Sequence, residues 1–479
     1  MKFDLVVVGS GPGGYKAAIT AAHLGARVAL IEAGLAGGTC LNQGCIPKKT
    51  LFHLATLIES VNDLQGRGLV GSVGGDFTAA MRHKTEVVDG IRNNFSVWLR
   101  RLGIRFFNGR ASLLDSRHIQ VQLNPDAVHP GGGDGPVVLE TEKIILATGS
   151  RPKELSLCPT DGRQILHSRD FMFKLSHLPR SILFVGGGAV GVELGFLLHQ
   201  FGTRVTIVEH GAMLLDTVRL PQRAKVMLER KFKRIGVEVR KNSTVVACDK
   251  KDDGVTVHLS DGSAADYEMV LVAVGRQPYT DGMGLEDAGV ELTPDGFIRT
   301  TEYLETNIRG IYAIGDVKKG PMNANAALHD AKVAAANAVK GNLLRPNYLK
   351  VPVVFDTAFE IAAVGLTEDQ ADDAGFEAEA VRLNLGGSGK ARAQNDYEGF
   401  AEVVHDAETG QLLGGCVVGP EAGEQIHMMA AACQSTRGLW FFKDMSYSHP
   451  SWSEELETVI DPYTTAFAQS QPGIFANTD

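Results

Sequence analysis

Two cysteines near the N-terminus, Cys40 and Cys45, are separated by four residues in the stretch GGTCLNQGCIPKKT (37–50). Cysteines at this spacing could bind a metal, form a structural disulfide or act as a redox pair. A metal site would need a third and a fourth Cys or His ligand at usable spacing, and the neighbourhood supplies only His53, beyond Pro47. A structural disulfide would close a very small loop and stabilise little. A redox pair accounts for more of the sequence, and no metal site is predicted.

Thiol chemistry needs a stabilised thiolate and a base. The segment KKTLFHLATLIES (48–60) predicts a helix directly after the cysteines, and the partial positive charge at its N-terminus favours a thiolate. Because only a thiolate attacks a disulfide, a base must remove the proton at neutral pH. Among 14 histidines, His449 is followed five residues later by a carboxylate, Glu454. Such a partner orients an imidazole and makes it more basic, but this spacing alone favours an incidental pair.

The first residues of the chain predict a nucleotide-binding unit. DLVVVG (4–9) is a short apolar run suited to a strand buried on both faces. Gly9, Gly11 and Gly14 form G-x-G-x-x-G, and an alanine-rich helix pattern and a second apolar run ending at Glu32 follow. The glycines permit a tight turn and close approach of a pyrophosphate to the helix N-terminus, and the acid binds a ribose hydroxyl. Because these features fall in register, a generic glycine turn is disfavoured.

The same pattern recurs in residues 181–209, with Gly186, Gly188 and Gly191 as its glycines and Glu209 as its acid. Two such patterns imply two dinucleotides, and the economical pair is a flavin and a nicotinamide dinucleotide, because a flavin passes on the electrons of a hydride. The cysteine pair follows the first motif directly, which assigns the flavin to that half. Glu209 accepts hydrogen bonds from a ribose 2′-hydroxyl and repels a 2′-phosphate, so NAD is predicted rather than NADP.

A late segment also has a flavin-site pattern. GIYAIGD (310–316) predicts a strand that ends at Asp316, followed by a loop and an alanine-rich helix. Asp316 is placed to bond a ribityl hydroxyl of a flavin. Taken by itself, however, this residue is better explained as an ordinary strand-end aspartate.

Length and composition limit the class of protein. The 479 residues suffice for about three domains, and 44% hydrophobic with 22% charged residues fits a globular protein with real cores. The net charge of −9 argues against nucleic acid as a partner. Six cysteines are too few for a disulfide-stapled secreted scaffold, and no apolar run reaches the roughly 18 residues that span a bilayer. Since the first strand begins at Phe3, no signal peptide is predicted, and we expect a cytoplasmic protein.

Seven motifs, in order, resemble those of the flavoprotein pyridine nucleotide-disulfide oxidoreductases over nearly the whole chain. They are VVVGSGPGG, GGTCLNQGCIPKK, IILATGS, VGGGAVGVELG, VAVGRQP, GIYAIGD and SHPSWSEE. The resemblance implies an α/β fold with two Rossmann-like dinucleotide-binding domains, for FAD and NAD, and a C-terminal α+β dimerisation domain. The implied boundaries are 1–149 with 276–350 for the FAD domain, 150–275 for the NAD domain and 351–479 for the interface domain. The Gly-rich segment 124–136 predicts a long hairpin loop.

The resemblance also assigns roles to the reactive residues. Cys45 resembles the thiol that contacts the flavin and forms the charge-transfer thiolate, and Cys40 resembles the interchange thiol that reacts with the substrate disulfide. His449 and Glu454 match the family's His-Pro-x-x-Ser-Glu motif and resemble the catalytic base and its carboxylate partner. The implied assembly is a homodimer with shared active sites, in which His449 serves the disulfide of the other subunit.

Lys49 and Glu193 resemble an ion pair near the reactive nitrogen of the flavin. The flavin contacts implied by the resemblance are Gly9, Gly11, Gly14, Glu32, Gly38, Thr39, Lys49, Ala111, Thr148, Gly149, Asp316, Met322, Asn323 and Ala324. The implied NAD contacts are Gly186, Gly188, Gly191, Glu193, Glu209, Val246 and Gly275.

Within the family, the motifs look most like those of dihydrolipoamide dehydrogenases. The predicted reaction passes two electrons between dihydrolipoamide and lipoamide on a separate lipoyl protein, the Cys40–Cys45 disulfide, FAD and NAD. Lys48 departs from that subfamily and resembles glutathione reductase, so NAD(P)H-dependent reduction of another disulfide, such as glutathione disulfide, stays open. Gln43, Asn325 and Phe359 depart as well. A mercuric reductase is disfavoured because the tail lacks a terminal cysteine pair, and a dinucleotide-binding scaffold or diaphorase would not need the cysteine and histidine set.

Overall fold

The computed structural model describes residues 1–126 and 135–463. Two compact units make up the chain: the first comprises residues 1–54, 76–178 and 272–346, and the second comprises residues 55–75, 179–271 and 347 onwards. The three-domain boundaries predicted from the sequence stay a prediction.

The described chain contains both strands and helices, and long runs of consecutive strands follow α4 and α7. The strands are β1 (Lys2–Val8), β2 (Val28–Glu32), β3 (Arg105–Leu113), β4 (His118–Leu123), β5 (Val137–Leu146), β6 (Ser150–Pro152), β7 (Ile165–His167), β8 (Ser181–Val185), β9 (Arg204–Val208), β10 (Glu238–Arg240), β11 (Val245–Lys251), β12 (Gly254–Leu259), β13 (Ala264–Tyr267), β14 (Met269–Val272), β15 (Arg276–Pro278), β16 (Ile311–Ala313), β17 (Val353–Asp356), β18 (Glu360–Gly365), β19 (Ala378–Asn384), β20 (Phe400–Asp406) and β21 (Leu412–Val418). The helices are α1 (Pro12–His23), α2 (Gly38–Gln43), α3 (Cys45–Asp63), α4 (Phe77–Arg101), α5 (Ser168–Lys174), α6 (Ala189–Gln200), α7 (Gln222–Ile235), α8 (Ala324–Lys340), α9 (Glu368–Asp373), α10 (Gly389–Gln394), α11 (Ala422–Ala432) and α12 (Trp440–Lys443).

A parallel sheet forms the centre of the first unit, with the strand order β3-β2-β1-β5-β16. The apolar run of β1 is buried because β2 and β5 pair with it on both sides. Strand β4 runs antiparallel to the C-terminal part of β3 and to the N-terminal part of β5. The predicted hairpin loop therefore has antiparallel flanks, although residues 127–134 lie outside the described part of the chain.

Helices α1 and α8 pack together on one face of this sheet through buried small residues, including Ala17, Ala21, Ala331 and Ala334. The second face is covered by a separate apolar cluster that includes Val6, Ile144 and Ile311. In such an open parallel sheet, ligands bind at the carboxyl ends of the strands. The glycine loop after β1 and Glu32 at the end of β2 lie at that edge.

The segments predicted to connect the domains also pair with each other. β6, which follows IILATG, runs antiparallel to β15, which follows VAVG, with Gln277 opposite Arg151. Gly149 and Gly275 precede these two strands and both have positive φ angles, +72° and +113°. The two segments at the predicted boundaries between the FAD and NAD domains therefore lie side by side within the first unit.

The second unit begins with another parallel motif. Its strand order is β10-β9-β8-β14, with β8 and β9 joined through α6 and with β9 and β10 joined through α7. An antiparallel meander of β11, β12 and β13 follows. The sequence from 181 to 209 thus folds as the predicted strand, glycine loop, helix and strand.

The C-terminal part of the second unit is an antiparallel sheet of order β17-β18-β21-β20-β19. Helix α11 packs against β18 and β21 and buries Ile426 and Met429 in a shared apolar core. A ten-residue 3-10 helix, Glu454–Tyr463, closes the described chain. Within residues 1–126 and 135–463, every helix is too short or too polar to cross a membrane.

Candidate functional site

The first glycine loop is built for close backbone approach. Gly9 has a φ of +99°, and a Cβ at Gly14 would lie only 1.7 Å from the carbonyl oxygen of Gly9, so a side chain at Gly14 would force the turn apart. Helix α1 begins after Gly11 without a side-chain cap. Its first backbone N–H groups therefore suit a pyrophosphate, which fits the predicted flavin dinucleotide.

Ser10 connects this loop to both neighbouring segments. Its backbone N–H and hydroxyl both donate to Oε2 of Glu32, at 2.8 and 2.7 Å. The Ser10 oxygen also accepts the N–H of Gly37 at 3.0 Å, one residue before α2 begins. Ser10 is fully buried, so these bonds fix the redox segment relative to the glycine loop.

Cys40 lies in α2, and Cys45 is the first residue of α3. The predicted helix therefore begins earlier than residue 48 and includes the second cysteine. Between the two helices, a Cβ at Gly44 would lie 3.0 Å from the carbonyl oxygen of Thr39 and 3.2 Å from the Cα of Cys40. Both cysteines are in the thiol form, and their side chains are hydrogen-bonded to each other. This tight turn brings the two sulfur atoms into contact, and Cys45 receives the favourable field of the helix N-terminus.

The thiol of Cys40 resists ionisation. Its pKa is raised above its usual range by its hydrogen bond to Cys45, by burial and by the charge of Cys45. Burial and this partner therefore disfavour a thiolate at Cys40. Burial also raises the pKa of Tyr15, with further contributions from the charges of Cys40 and Cys45. Tyr15 follows the last glycine of the first motif, and these contributions indicate that it lies within electrostatic range of the thiol pair.

Side-chain amides hold the redox segment. Asn42 donates through Nδ2 to the carbonyl oxygens of Gly38 and Ala36, at 2.9 and 3.0 Å, and accepts from Arg92 in α4 at 3.1 Å. Gln43, one of the noted departures, donates to Oγ1 of Thr39 at 3.4 Å, and its Oε1 is buried without a hydrogen-bond partner. No structural reason for the glutamine at this position is apparent.

Asp316 differs slightly from its prediction. Strand β16 ends at Ala313, and Asp316 lies in a 3-10 turn, Gly315–Val317, because Gly315 adopts a φ of +67° and leaves the extended conformation. Oδ2 of Asp316 accepts the hydroxyl of Ser150 at 2.6 Å and lies 3.8 Å from Nε of Arg276. Arg276 in turn donates to Ser150 at 2.7 Å. This polar network provides acceptors and donors for a ribityl chain.

A buried ion pair lies beneath this turn. Nζ of Lys318 is 3.2 Å from Oδ2 of Asp330, and the two side chains are 4% and 1% exposed. The same carboxylate oxygen accepts the N–H of Gly315 at 3.0 Å. Asp330 therefore fixes the residue at which the strand turns to present Asp316.

The other predicted flavin residues lie around the same sheet edge or within its strands. Thr148 donates through Oγ1 to the carbonyl oxygen of Tyr279 at 2.7 Å, and the Gly149 carbonyl accepts the Tyr279 N–H. Asn323 caps α8 by accepting the N–H of Ala326 at 2.8 Å, with Met322 before it and Ala324 as the first helical residue. Ala111 is buried in β3.

The second glycine loop repeats the first in the second unit. Gly186 has a φ of +111°, and a Cβ at Gly191 would lie 2.0 Å from the Gly186 carbonyl oxygen. Nothing lies within 4 Å of a Cβ built at Gly188, and α6 begins there without a side-chain cap. This open, uncapped helix start also fits a pyrophosphate.

Glu209 holds the second loop as Glu32 holds the first. Its Oε2 accepts the Gly187 N–H at 2.7 Å, and its Oε1 accepts the Gly211 N–H at 2.6 Å. The carboxylate is buried. The position suits a ribose hydroxyl, as predicted.

Two predicted NAD residues lie outside this loop. Val246 is 45% exposed in β11, and Gly275 precedes β15 in the first unit, where its carbonyl accepts the Lys153 N–H. Glu193 is buried in α6, and its Oε1 accepts the N–H of Asp356 at 3.0 Å. Lys49 is exposed in α3. Their ion pair stays a prediction.

His449 and Glu454 form a direct pair in the second unit. Nδ1 of His449 lies 2.8 Å from Oε2 of Glu454, and the imidazole is 81% exposed while the carboxylate is 16% exposed. The other carboxylate oxygen accepts the Ser451 N–H at 3.3 Å, and the Ser451 hydroxyl accepts the Glu454 N–H at 3.2 Å. The bond before Pro450 is cis. Because Nδ1 faces the carboxylate, Nε2 is the nitrogen left to exchange a proton.

The geometry thus combines a dithiol, two dinucleotide cradles and a histidine–carboxylate pair in one chain. Residues 3–331 match the family described as Pyridine nucleotide-disulphide oxidoreductase. Residues 351–460 match the dimerisation domain of the same family. The chain belongs to the pyridine nucleotide-disulphide oxidoreductases.

Similar proteins include a dihydrolipoyl dehydrogenase of Thermus scotoductus, 36% identical over 95% of this chain and 96% of that protein. A dihydrolipoyl dehydrogenase of Halobacterium salinarum is 35% identical over 94% of each chain. Among solved structures, LpdA of Mycobacterium tuberculosis superposes with a TM-score of 0.88 at 25% identity, covering 96% of this chain and 100% of that one. The HOCl-induced flavoprotein disulfide reductase RclA of Escherichia coli gives 0.82 at 28% identity, covering 96% and 99%.

Membership of the pyridine nucleotide-disulphide oxidoreductases confirms the predicted fold class, with its dinucleotide-binding part and separate dimerisation domain. It also confirms the predicted enzyme class and its cofactors, FAD and NAD(H). The dimerisation domain confirms the expected homodimer. The roles of individual residues stay predictions.

Sequence reasoning missed several residues that shape the sites. Ser10 is the second residue of a G-x-G loop and could have been recognised as a polar side chain facing the acid of the motif. Arg276 stands in VAVGRQP, which was used only as one of the seven family motifs. The electrostatic effect of the thiol pair on Tyr15 and the contact of Lys318 with Asp330 had no recognisable sequence signal, because both depend on tertiary packing.

Proposed function

We propose that this enzyme is a dihydrolipoyl dehydrogenase, which oxidises dihydrolipoyl groups carried by a separate lipoyl protein. The observation that carries the proposal is the thiol pair in the first unit, in which Cys45 begins a helix that follows a dinucleotide cradle and Cys40 is hydrogen-bonded to Cys45. The similarity to dihydrolipoyl dehydrogenases over 94–96% of the chain supports the substrate class.

The chain's own residues account for the exchange of sulfur bonds. In the oxidised enzyme, Cys40 and Cys45 form a disulfide. One substrate thiol gives its proton to Nε2 of His449, and its sulfur attacks Cys40, which releases Cys45 as a thiolate. The second substrate thiol then attacks the sulfur held in the mixed disulfide and passes its proton to Cys40. The substrate dithiol becomes a disulfide, the protein disulfide becomes the thiol of Cys40 and the thiolate of Cys45, and the other proton remains on His449.

Electrostatics favours this order of events. The helix N-terminus stabilises the leaving thiolate of Cys45, while the raised pKa of Cys40 returns it to the neutral thiol. Glu454 stabilises His449 when it carries the proton. When bound, FAD and NAD supply the two-electron relay that reoxidises the dithiol.

Substrate assays test the assignment. With NADH as the reductant, kcat/KM of the purified enzyme should be at least about 100-fold higher for lipoamide than for glutathione disulfide. The two disulfides present different groups, and a site that binds the groups of one discriminates against the other. A preference for glutathione disulfide would replace the lipoyl assignment. Anaerobic titration with NADH separates both from a diaphorase: a disulfide enzyme takes up two electrons per subunit beyond those held by its flavin.

We further infer that His449 of one subunit serves the cysteine pair of the other. Cys40→Ser and His449→Ala, each expected to be nearly inactive, can be dissociated, mixed equally and reassociated. If half of the dimers are mixed and one of their two sites inherits no lesion, about a quarter of wild-type activity returns. Absence of recovery in mixed dimers verified by mass would mean that each His449 serves its own chain.

We propose a cytoplasmic location, supported by the net charge of −9 and by the lack of a long apolar helix among residues 1–126 and 135–463. Fractionation of the native host, with detection of the enzyme by antibody, checks this location.

A further inference from the structure

A histidine directly follows the acid of the second dinucleotide motif. Nδ1 of His210 lies 2.7 Å from Oε1 of Glu209, and the imidazole is 76% exposed while the carboxylate is 7% exposed. The two residues are adjacent in sequence, but adjacency does not by itself bring their side chains together. The imidazole therefore occupies the solvent side of the carboxylate at the place where a ribose 2′ position is expected.

The hydrogen bonds of Glu209 leave it little further capacity. Oε1 contacts both the Gly211 N–H and His210, while Oε2 accepts the Gly187 N–H as its one hydrogen bond from residues 1–126 and 135–463. Since each carboxylate oxygen can accept about two hydrogen bonds, one acceptor position remains for a ribose hydroxyl, on Oε2. A coenzyme bound there would contact the Glu209–His210 pair as a unit.

The charged groups around this pair are otherwise engaged or negative. Oδ2 of Asp216 lies 2.7 Å from a Cβ built at Gly211, and Oε1 of Glu209 lies 3.1 Å from it, so two carboxylates converge on this residue. Lys225 donates to the backbone carbonyl of Asp216 at 3.0 Å.

At the end of the adjacent strand β10, Lys241 pairs with Glu229 and Arg240 pairs with Glu238, each at 2.7 Å. Histidine is the side-chain type whose charge commonly changes near neutral pH, and His210 is the histidine that contacts the acid of this motif.

We propose that His210 makes the selectivity for NAD over NADP, which Glu209 provides, depend on pH. With a neutral imidazole, Glu209 and Asp216 leave the ribose pocket negative, and a 2′-phosphate is rejected. A protonated imidazole offsets Glu209 and offers its Nε2–H to the phosphate, so the rejection weakens as the pH falls. This inference rests on the proposed NAD-dependent function and names a selectivity residue that the dinucleotide motif itself does not include.

The ratio of kcat/KM for NADPH to that for NADH isolates the effect, because proton transfers at the thiols and at the His449–Glu454 pair affect both coenzymes and cancel. Between pH 8 and pH 6, the wild-type ratio should rise about tenfold more than that of His210→Gln, the scale of one charge-assisted hydrogen bond. The variant keeps a smaller rise, because the 2′-phosphate itself gains a proton near pH 6. Equal profiles for wild type and His210→Gln would overturn the proposal.

A matched control is His118→Gln. Nδ1 of His118 also contacts a carboxylate, that of Asp115, at 2.9 Å, and its side chain is 43% exposed, but it lies in β4 of the first unit. This variant should keep the wild-type profile of the ratio. A profile as flat as that of His210→Gln would show that the effect is not specific to the coenzyme pocket and would also refute the proposal.

Equilibrium binding separates this inference from the proposed function. The dissociation constants of NADP⁺ and NAD⁺, measured by calorimetry on the FAD-loaded enzyme at pH 6 and pH 8, should show the same His210-dependent change in their ratio. If lipoamide is not turned over but this change is found, the substrate assignment fails and the role of His210 stands. If lipoamide is turned over and the change is absent, only the role of His210 fails.

Discussion

The two glycine loops share a pattern but differ at their second position, which is Ser10 in the first unit and Gly187 in the second. In both, the acid at the end of the next strand accepts the backbone N–H of this residue, at 2.8 Å for Glu32 and 2.7 Å for Glu209. Only Ser10 adds a hydroxyl, which bonds Glu32 and accepts the N–H of Gly37. The first loop is thereby joined to the redox segment, whereas the second has no such bond.

Space explains why the second loop keeps a glycine. A Cβ at Gly187 would lie 2.5 Å from Cδ2 of Leu214 and 3.1 Å from Oε2 of Glu209. The same motif therefore serves two purposes. The first loop is hydrogen-bonded to the segment that carries the thiols, and the second loop is packed closely around its acid. Four substitutions test this difference, in order of decreasing expected effect.

Cys45→Ser should distinguish the two glycine loops, because it abolishes the thiol chemistry next to the first loop and leaves the second loop unchanged. The variant should keep bound FAD, lose more than about 99% of its lipoamide turnover because no disulfide can form, and lose the long-wavelength absorbance of a thiolate beside flavin. Flavin reduction by NADH, followed by stopped-flow absorbance, should survive. Substantial lipoamide turnover in this variant would contradict the assignment of the redox pair.

Glu209→Ala should weaken NADH use, because the ribose loses its acceptor and the N–H groups of Gly187 and Gly211 lose theirs. The loss of a buried hydrogen bond costs about 1–3 kcal/mol, or roughly 5- to 150-fold in kcat/KM for NADH. The ratio of kcat/KM for NADH to that for NADPH should decrease in steady-state assays. A wild-type enzyme that already prefers NADPH would refute this interpretation.

Gly187→Ser makes the second loop resemble the first and should be harmful, because the new side chain collides with Leu214 and Glu209. Overpacking of this kind costs about 1–3 kcal/mol. The dissociation constant of NAD⁺ should rise while the FAD content stays at the wild-type level. Gly90→Ala in α4, at a position with nothing within 4 Å of the added Cβ, serves as the comparison, and tighter NAD⁺ binding by Gly187→Ser would contradict the steric argument.

Ser10→Gly makes the first loop resemble the second and should have the smallest effect. It removes the hydroxyl bonds to Glu32 and Gly37 at a cost of about 1–2 kcal/mol. Faster release of FAD and a shifted thiolate absorbance should appear together, because the loop no longer fixes the redox segment. A change in stability with an unaltered thiolate spectrum would reduce Ser10 to a packing residue.

Local patterns predicted the regular elements of both dinucleotide motifs. The apolar runs of β1 and β8 and the glycines after them needed only the periodicity of the chain. Segments governed by tertiary contacts were less predictable: α3 includes Cys45 because Gly44 turns tightly against Thr39 and Cys40. Strand β16 ends before Asp316 because Gly315, held by Asp330, leaves the extended conformation.

The reactive groups were easier to find than their surroundings. Cys40, Cys45, His449 and Glu454 were predicted from residue type and motif, and the contact between His449 and Glu454 was found in the structure. His210 was passed over because a histidine after a strand carries no motif of its own. Its meaning depends on which way the side chain turns, and that is decided by the hydrogen bond to Glu209.

The buried pair of Lys318 and Asp330 has a consequence for assembly of the holoenzyme. Because the carboxylate already fixes Gly315, the turn that carries Asp316 is built by the protein alone. An incoming flavin then orders few additional residues, so its association loses less conformational entropy than association with a loose loop would. We expect apoprotein to be reloaded with FAD without refolding of this turn, and the enzyme to survive cycles of cofactor loss and recovery.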